Sequence, residues 1–85
     1  MEKYFPIGSV VLLTGGTKRV MIYGRRQIQE GTQTEWDYIA CLYPEGNINS
    51  DYTFLFNHDQ IKKVYHVGYQ DDEEFNFTSE ILTAS

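Results

Sequence analysis

Apolar and β-branched residues alternate with polar ones at the spacing of short β-strands along most of the chain. Segments rich in glycine, proline and asparagine separate these runs and are typical of turns. The pattern predicts five strands, at residues 8–14, 18–29, 35–43, 52–56 and 63–69. Gly24 falls inside the second strand, where a glycine usually marks a β-bulge or a sharp bend.

Two helical segments are predicted in the second half of the chain. Asn57 and Gln60 have the spacing of a capping box, so we expect one helical turn over about 58–62. Asp71 or Asp72 is placed to open a C-terminal helix over about 71–83, because the carboxylates of this acidic run are favourable at a helix N-terminus. An apolar stripe at helical spacing follows this run, and it comprises Phe75, Phe77, Ile81 and Leu82.

Together these elements predict an α+β, mainly β fold. We expect a small, five-stranded and strongly bent antiparallel sheet or a partly open SH3-like barrel, with the helical turn near 58–62 and the C-terminal helix. A chain of 85 residues allows one domain, with a core over about 5–70 and the acidic helix after it. Strand alternation places five large apolar side chains in one core, namely Val11, Ile22, Trp36, Leu42 and Phe54.

Charge is divided unevenly along the chain. Residues 1–69 contain seven basic and seven acidic side chains, whereas residues 70–85 contain five acidic side chains and no basic one. The net charge of −5 opposes binding to nucleic acid or to an anionic membrane. The single cysteine, Cys41, excludes an internal disulfide and favours a reducing compartment. With no signal-peptide pattern and no long apolar run, we expect a cytoplasmic protein.

Candidate catalytic chemistry is sparse in this sequence. Cys41 lies between Ala40 and Leu42 in a predicted strand, which is typical of a buried structural cysteine. His58 and His66 lack the short ligand spacing of a metal site. We therefore expect no enzyme activity, no catalytic residue, no metal and no cofactor.

Aromatic residues make up 15% of the chain and are the best candidates for a binding surface. Tyrosine and tryptophan are enriched at protein interfaces. Paired carboxylates, which acid–base catalysis would need, are numerous only in the acidic tail. The candidate protein-binding residues are Tyr38, Tyr43, Tyr52, Phe75 and Phe77.

Four segments together are similar to a known family: Pro6–Leu13 with the following Gly15-Gly16, Val20–Arg25, Tyr38–Gly46, and Phe56–Ile61 with Gly68-Tyr69. On these segments the chain resembles the small Gram-positive family DUF4176 over about residues 5–80. The resemblance implies an association with LXG toxins of the type VII secretion system. It implies a non-enzymatic cytoplasmic chaperone or adaptor that binds the toxin before export.

Two other functions remain open from the sequence alone. An acidic surface also suits an immunity protein that inhibits a cognate toxin, particularly a toxin that acts on nucleic acid. Aromatic residues on a small barrel also suit a nucleic-acid-binding protein, although the net charge opposes it. We expect a protein partner, without nucleic acid or membrane, and the oligomeric state stays open.

Overall fold

In the computed structural model, which describes residues 4–82, the chain forms one antiparallel sheet of five strands. The strands are β1 (Val10–Leu13), β2 (Val20–Ile28), β3 (Glu35–Leu42), β4 (Thr53–Phe56) and β5 (Ile61–His66). Their spatial order is β4-β3-β2-β1-β5, so β4 and β5 lie at opposite ends of the sheet. The predicted mainly β fold with five antiparallel strands and a short C-terminal helix is confirmed.

Short helical turns connect the later strands and follow the sheet. A 3₁₀ turn at Ser50–Tyr52 precedes β4, and a second at His58–Gln60 precedes β5. Helix α1 (Asp72–Phe77) follows β5, and a π-helical turn at Thr78–Leu82 continues it. The predicted C-terminal helix is therefore present, but its second half is wound as a π-helix.

Local caps form where the sequence predicts them. The capping box at Asn57 is present, and the Gln60 Oε1 atom accepts from the backbone N–H of Asn57 at 2.8 Å. Asp71 caps α1, because its Oδ1 atom accepts from the backbone N–H of Glu74 at 3.0 Å. Both bonds satisfy backbone donors that a helix start leaves without an intrahelical partner.

The longest strand pairing, between β2 and β3, is interrupted at Gly24. Ile22 pairs with Ala40, and the register then shifts so that Gly24 pairs with Ile39. A Cβ atom on Gly24 would lie 2.7 Å from the Cγ2 atom of Ile39, so a side chain here would require its neighbours to shift. The predicted bulge is confirmed, and beyond it Arg25 pairs with Tyr38.

The fifth strand lies earlier than the sequence pattern predicts, since it ends at His66 rather than at residue 69. After His66 the chain leaves the sheet, and the backbone N–H of Gly68 donates to the Ser9 Oγ atom at 3.0 Å. The backbone of Gly68 passes so close to that of Ile7 that a Cβ atom would collide with the Ile7 carbonyl. A tertiary contact therefore ends this strand.

The core lies on one face of the sheet, where buried residues of β1 to β4 pair with one another across neighbouring strands. Its members are Val11, Val20, Ile22, Tyr38, Ala40 and Phe56. The prediction is confirmed for Val11 and Ile22, and Phe54 packs against this cluster while partly buried.

The core prediction is wrong for Trp36 and Leu42, which are half-buried and lie outside this cluster. Trp36 lies near the exposed β2–β3 turn, where its indole N–H donates to the Gln29 Oε1 atom at 3.3 Å. Tyr38, two residues further along the same face, takes the central position.

Candidate protein-binding surface

The five predicted binding residues lie in three different environments. Tyr38 is fully buried, Tyr43 is half-buried directly after β3, and Tyr52, Phe75 and Phe77 are 47%, 44% and 42% exposed. This corrects the prediction for Tyr38, because its side chain faces the core and its ring is inaccessible to a partner in this fold. Of the five, only Phe75 and Phe77 share an element.

The Tyr38 side chain joins the N-terminal segment to the 3₁₀ turn before β5. Its hydroxyl oxygen accepts from the backbone N–H of Phe5 at 3.0 Å. The hydroxyl also lies 2.7 Å from the Nδ1 atom of His58, to which it donates when the ring proton is on Nε2. Phe5 in turn stacks on His58 with ring centroids 5.1 Å apart. The buried phenol is therefore fully hydrogen-bonded, as burial of a polar group requires.

Burial also changes the ionisation of Tyr38. Desolvation raises the pKa of its phenol to about 12, although the Phe5 N–H bond, which favours the phenolate, acts in the opposite direction. The Asp37 carboxylate raises this pKa further. Tyr38 is accordingly a neutral structural residue across the physiological pH range.

Helix α1 is attached to the sheet by an ion pair that is largely shielded from water. The guanidinium of Arg25 donates to both carboxylate oxygens of Glu74, at 2.6 and 2.9 Å, and the two side chains are 5% and 15% exposed. Arg25 also donates to the Phe5 carbonyl at 3.2 Å, and Arg26 donates to the Leu82 carbonyl at 3.0 Å. Two adjacent arginines just after the Gly24 bulge therefore hold both ends of the C-terminal segment.

Because polar contacts hold α1 in place, its aromatic side chains stay accessible. None of the residues of α1 is buried, and Phe75 and Phe77 are each more than two-fifths exposed. The Arg25 Cζ atom lies 5.5 Å from the centre of the Phe77 ring, which fixes one side of that ring. Of the predicted apolar stripe, Leu82 is buried, and the side chain of Ile81 lies outside the described part of the structure.

A shallow cleft of about 370 Å³ adjoins this helix. Its lining combines two aromatic rings with three carboxylates: Tyr69, Asp71, Glu73, Glu74 and Phe77. Tyr69 is 80% exposed, which makes it the most accessible aromatic ring among the large hydrophobic residues described. This segment therefore presents aromatic and negatively charged groups side by side, and we name Tyr69 and Phe77 the C-terminal aromatic surface.

The remaining candidate chemistry is dispersed. Cys41 is buried, as predicted, with its Sγ atom 3.7 Å from the Met21 carbonyl oxygen. His66 is exposed at the end of β5. Within residues 4–82, no three histidine, cysteine or carboxylate side chains are placed to hold a metal ion.

Sequence reasoning missed three residues of this region. Arg25 and Glu74 are separated by 49 positions, and no local pattern connects them. Tyr69 belonged to a predicted strand, and its exposure follows only from the early end of β5. The glycine in the bulge was the one available signal that the residues after it leave the regular register.

Comparison with known proteins identifies the family. No curated protein and no solved structure matches the chain. Across the described residues, none of the helices has the length and apolar character needed to cross a membrane. The family model described as "Domain of unknown function (DUF4176)" matches residues 4–77, which is nearly the whole chain. The chain therefore belongs to the DUF4176 family.

Proposed function

We propose that this protein is a non-enzymatic cytoplasmic chaperone or adaptor that binds an LXG-type toxin of the type VII secretion system before export. Membership of the DUF4176 family supports the choice of partner, through the resemblance described above. The observation that carries the proposal is the exposure of Phe75 and Phe77, the two aromatic side chains of a helix that is fixed to the sheet.

The Arg25–Glu74 ion pair makes this surface suitable for binding. A helix of six residues is unstable alone, so without its attachment a partner would have to order it on binding. The ion pair orders the helix in advance, which reduces the conformational entropy lost in the complex. The aromatic rings then supply large contact areas with few rotatable bonds.

The charge of this surface indicates which kind of toxin segment would bind to it. Asp71, Asp72 and Glu73 are exposed around the same helix, and no basic residue follows residue 69. A basic segment of the toxin that carries apolar side chains is therefore the complementary partner, since opposite charges accelerate association and exclude like-charged competitors.

Edge strand β4 offers a second contact for the toxin. It pairs with β3 along one side, and Tyr52 lies exposed immediately before it. An extended segment of a client can add to such an edge through main-chain hydrogen bonds. The short β4 limits this contribution to a few residues.

Co-expression with the LXG toxin of the same locus, followed by affinity purification, tests the proposal. We expect a stable complex with the native chain and a much weaker one with the Phe75→Ala/Phe77→Ala variant. The matched control is Ile28→Ala/Ile48→Ala, which removes two exposed apolar side chains elsewhere and should leave recovery unchanged. Failure of the native chain to bind any LXG toxin from its locus would refute the proposal.

A toxicity and export assay separates chaperoning from immunity. Cells lacking this protein should accumulate or degrade the toxin and export less of it, with no gain in sensitivity to toxin delivered from outside. Full protection against the toxin without any effect on export would instead assign the protein as an immunity factor.

A further inference from the structure

On the face of the sheet opposite the core, tyrosine rings alternate with cationic side chains. The Arg19 Cζ atom lies 5.2 Å from the centre of the Tyr43 ring and 5.5 Å from that of Tyr65. The Lys63 Nζ atom lies 4.7 Å from the Tyr65 ring centre. These four residues, which we name the tyrosine–cation row, connect the end of β3 to β5.

Strand register places this row on the side away from the core. Val20 faces the core, so Arg19, its neighbour in sequence, points the other way. The backbone N–H of Tyr43 donates to the Arg19 carbonyl at 3.1 Å, which makes Tyr43 the neighbour of Arg19 across the strands. On the other side Lys63 pairs with Leu12, the residue after the core residue Val11.

Among the described residues, the two cations of the row have no carboxylate partner. Within residues 4–82, neither Arg19 nor Lys63 forms an ion pair, and both side chains are exposed. Glu45, the acid closest to Tyr43 in sequence, is bonded to Lys18 at 2.9 Å. Glu74 is bonded to Arg25, which shares the core face with Tyr38. The row therefore holds two positive charges against aromatic rings in a protein that is negative as a whole.

We propose that the tyrosine–cation row is a second binding surface, and that its occupant is an acidic segment of a partner protein that also carries apolar or aromatic side chains. Carboxylates of that segment would meet Arg19 and Lys63, while its apolar side chains would pack on Tyr43 and Tyr65. The rings hold the cations in place, so less side-chain entropy is lost on binding. This surface is distinct from the C-terminal aromatic surface and does not depend on the proposed toxin-binding function.

An acidic protein segment fits this row better than nucleic acid does. Nucleic acid is recognised by extended basic patches that contact many phosphates, whereas this row supplies two cations. In a short protein segment, the few carboxylates can lie directly opposite the two cations. Its apolar side chains also use the tyrosine rings, which a phosphate backbone does not.

The test uses the full chain and a fluorescent random copolymer of glutamate and tyrosine, with binding followed by anisotropy. We expect binding that weakens as salt rises, and weaker binding to polyglutamate, which lacks the aromatic component. Arg19→Gln/Lys63→Gln should lower the affinity for the copolymer about tenfold, the order expected for two partly exposed charge pairs. Lys63→Gln alone is compared with Lys62→Gln, which removes the same charge from the adjacent exposed position of β5.

The matched lysine pair decides the outcome. Loss of copolymer affinity in Lys63→Gln but not in Lys62→Gln supports the proposal, as do amide chemical shift changes confined to the row. Equal losses in both variants, or no binding of the copolymer by the native chain, would overturn it. Tighter binding to single-stranded DNA or to phosphatidylserine vesicles through the same residues would also overturn it. A melting curve for each variant checks that these exposed substitutions leave the fold intact.

Discussion

At the scale of single residues, Tyr38 combines a buried ring with a fully bonded hydroxyl. Its ring contacts those of Tyr4, Phe5 and Phe56, and its oxygen contacts both Phe5 and His58. These contacts connect the segment before β1, the core and the turn before β5. Tyr38 therefore holds together parts of the chain that are distant in sequence.

Tyr38→Ala should destabilise the protein much more than Trp36→Ala. Removal of the buried ring should lower the free energy of unfolding by about 3–5 kcal/mol. The half-buried Trp36 should contribute only about 0.8–1.5 kcal/mol, roughly half of what full burial of a large side chain provides. Urea unfolding followed by circular dichroism measures both. A larger loss for Trp36→Ala would contradict the placement of Tyr38 at the centre of the core.

The raised pKa of Tyr38 predicts a specific loss of stability in alkali. In the unfolded chain the phenol ionises near its ordinary pKa of about 10, whereas in the folded protein the pKa is about 12. The stabilising effect of the neutral phenol is therefore complete below pH 10 and is lost as the pH rises through about 12. The free energy of unfolding should fall over this interval.

Comparison with Tyr38→Phe isolates this effect from the other tyrosines and the lysines. The variant lacks the ionising group, so its stability should fall less steeply over the same alkaline interval, although it is less stable at neutral pH because the Phe5 N–H loses its partner. Urea titrations at successive pH values measure both slopes. Parallel slopes for the two proteins would show that Tyr38 does not titrate as inferred.

At the scale of elements, helix α1 depends on one ion pair more than on apolar packing. None of its residues is buried, yet Glu74 and Arg25 are largely shielded from water. Bidentate pairing with a carboxylate is the strongest geometry available to arginine. The Gly24 bulge sets the register in which Arg25 pairs with Tyr38 on the core face, so the conformation of β2 decides where the helix attaches.

A double-mutant cycle on Arg25 and Glu74 should show strong coupling. We expect Arg25→Ala and Glu74→Ala to be non-additive by roughly 0.5–3 kcal/mol, because each single change leaves the other charge without its partner. The Lys18–Glu45 pair, with both side chains more than two-fifths exposed, is the control. Its coupling should stay within about 1 kcal/mol. Equal coupling in the two cycles would show that the Arg25–Glu74 pair has no special role.

At the scale of the whole molecule, the net charge is concentrated in the C-terminal segment of the chain. The sheet region is neutral overall, and the segment after residue 69 carries the entire net charge of −5. One of its carboxylates, that of Glu74, is used to attach the segment to the sheet. The acidic segment is therefore part of the fold as well as the source of the charge that a basic partner would meet.

Deletion of residues 71–85 should destabilise the protein and remove its net charge. The deletion leaves Arg25 without its carboxylate, and we expect the melting temperature to fall by roughly 5–15 °C, since about 1 kcal/mol corresponds to 4–8 °C in a domain of this size. Binding of a hydrophobic dye should increase. Differential scanning fluorimetry and dye titration measure these changes.

A charge-reduced control separates attachment from electrostatics in this experiment. Asp72→Asn/Glu73→Gln/Glu80→Gln removes three of the five acidic charges but keeps Glu74 and the Asp71 cap. This variant should melt close to the native protein. If the truncated chain also has the melting temperature of the native protein, the helix contributes nothing to stability. The ion pair between Arg25 and Glu74 then does not stabilise the fold.

Features that depend on neighbouring residues could be derived from the sequence. The number of strands follows from alternation, the bulge from Gly24, and the two caps from Asn57 and Asp71. Each of these rests on interactions within a few positions, where the spacing of side chains is fixed by the backbone. The assignment to the family likewise follows from the sequence, since the family model matches residues 4–77.

Contacts between distant segments could be settled only by the tertiary structure. Trp36 and Tyr38 lie on the same face of β3, and alternation cannot tell which of them other strands and the N-terminal segment cover. The contact of Gly68 with Ser9 ends β5, and the bond of Arg25 to Glu74 crosses 49 positions. Such contacts depend on where the sheet brings the chain back upon itself, which no local pattern of residues specifies.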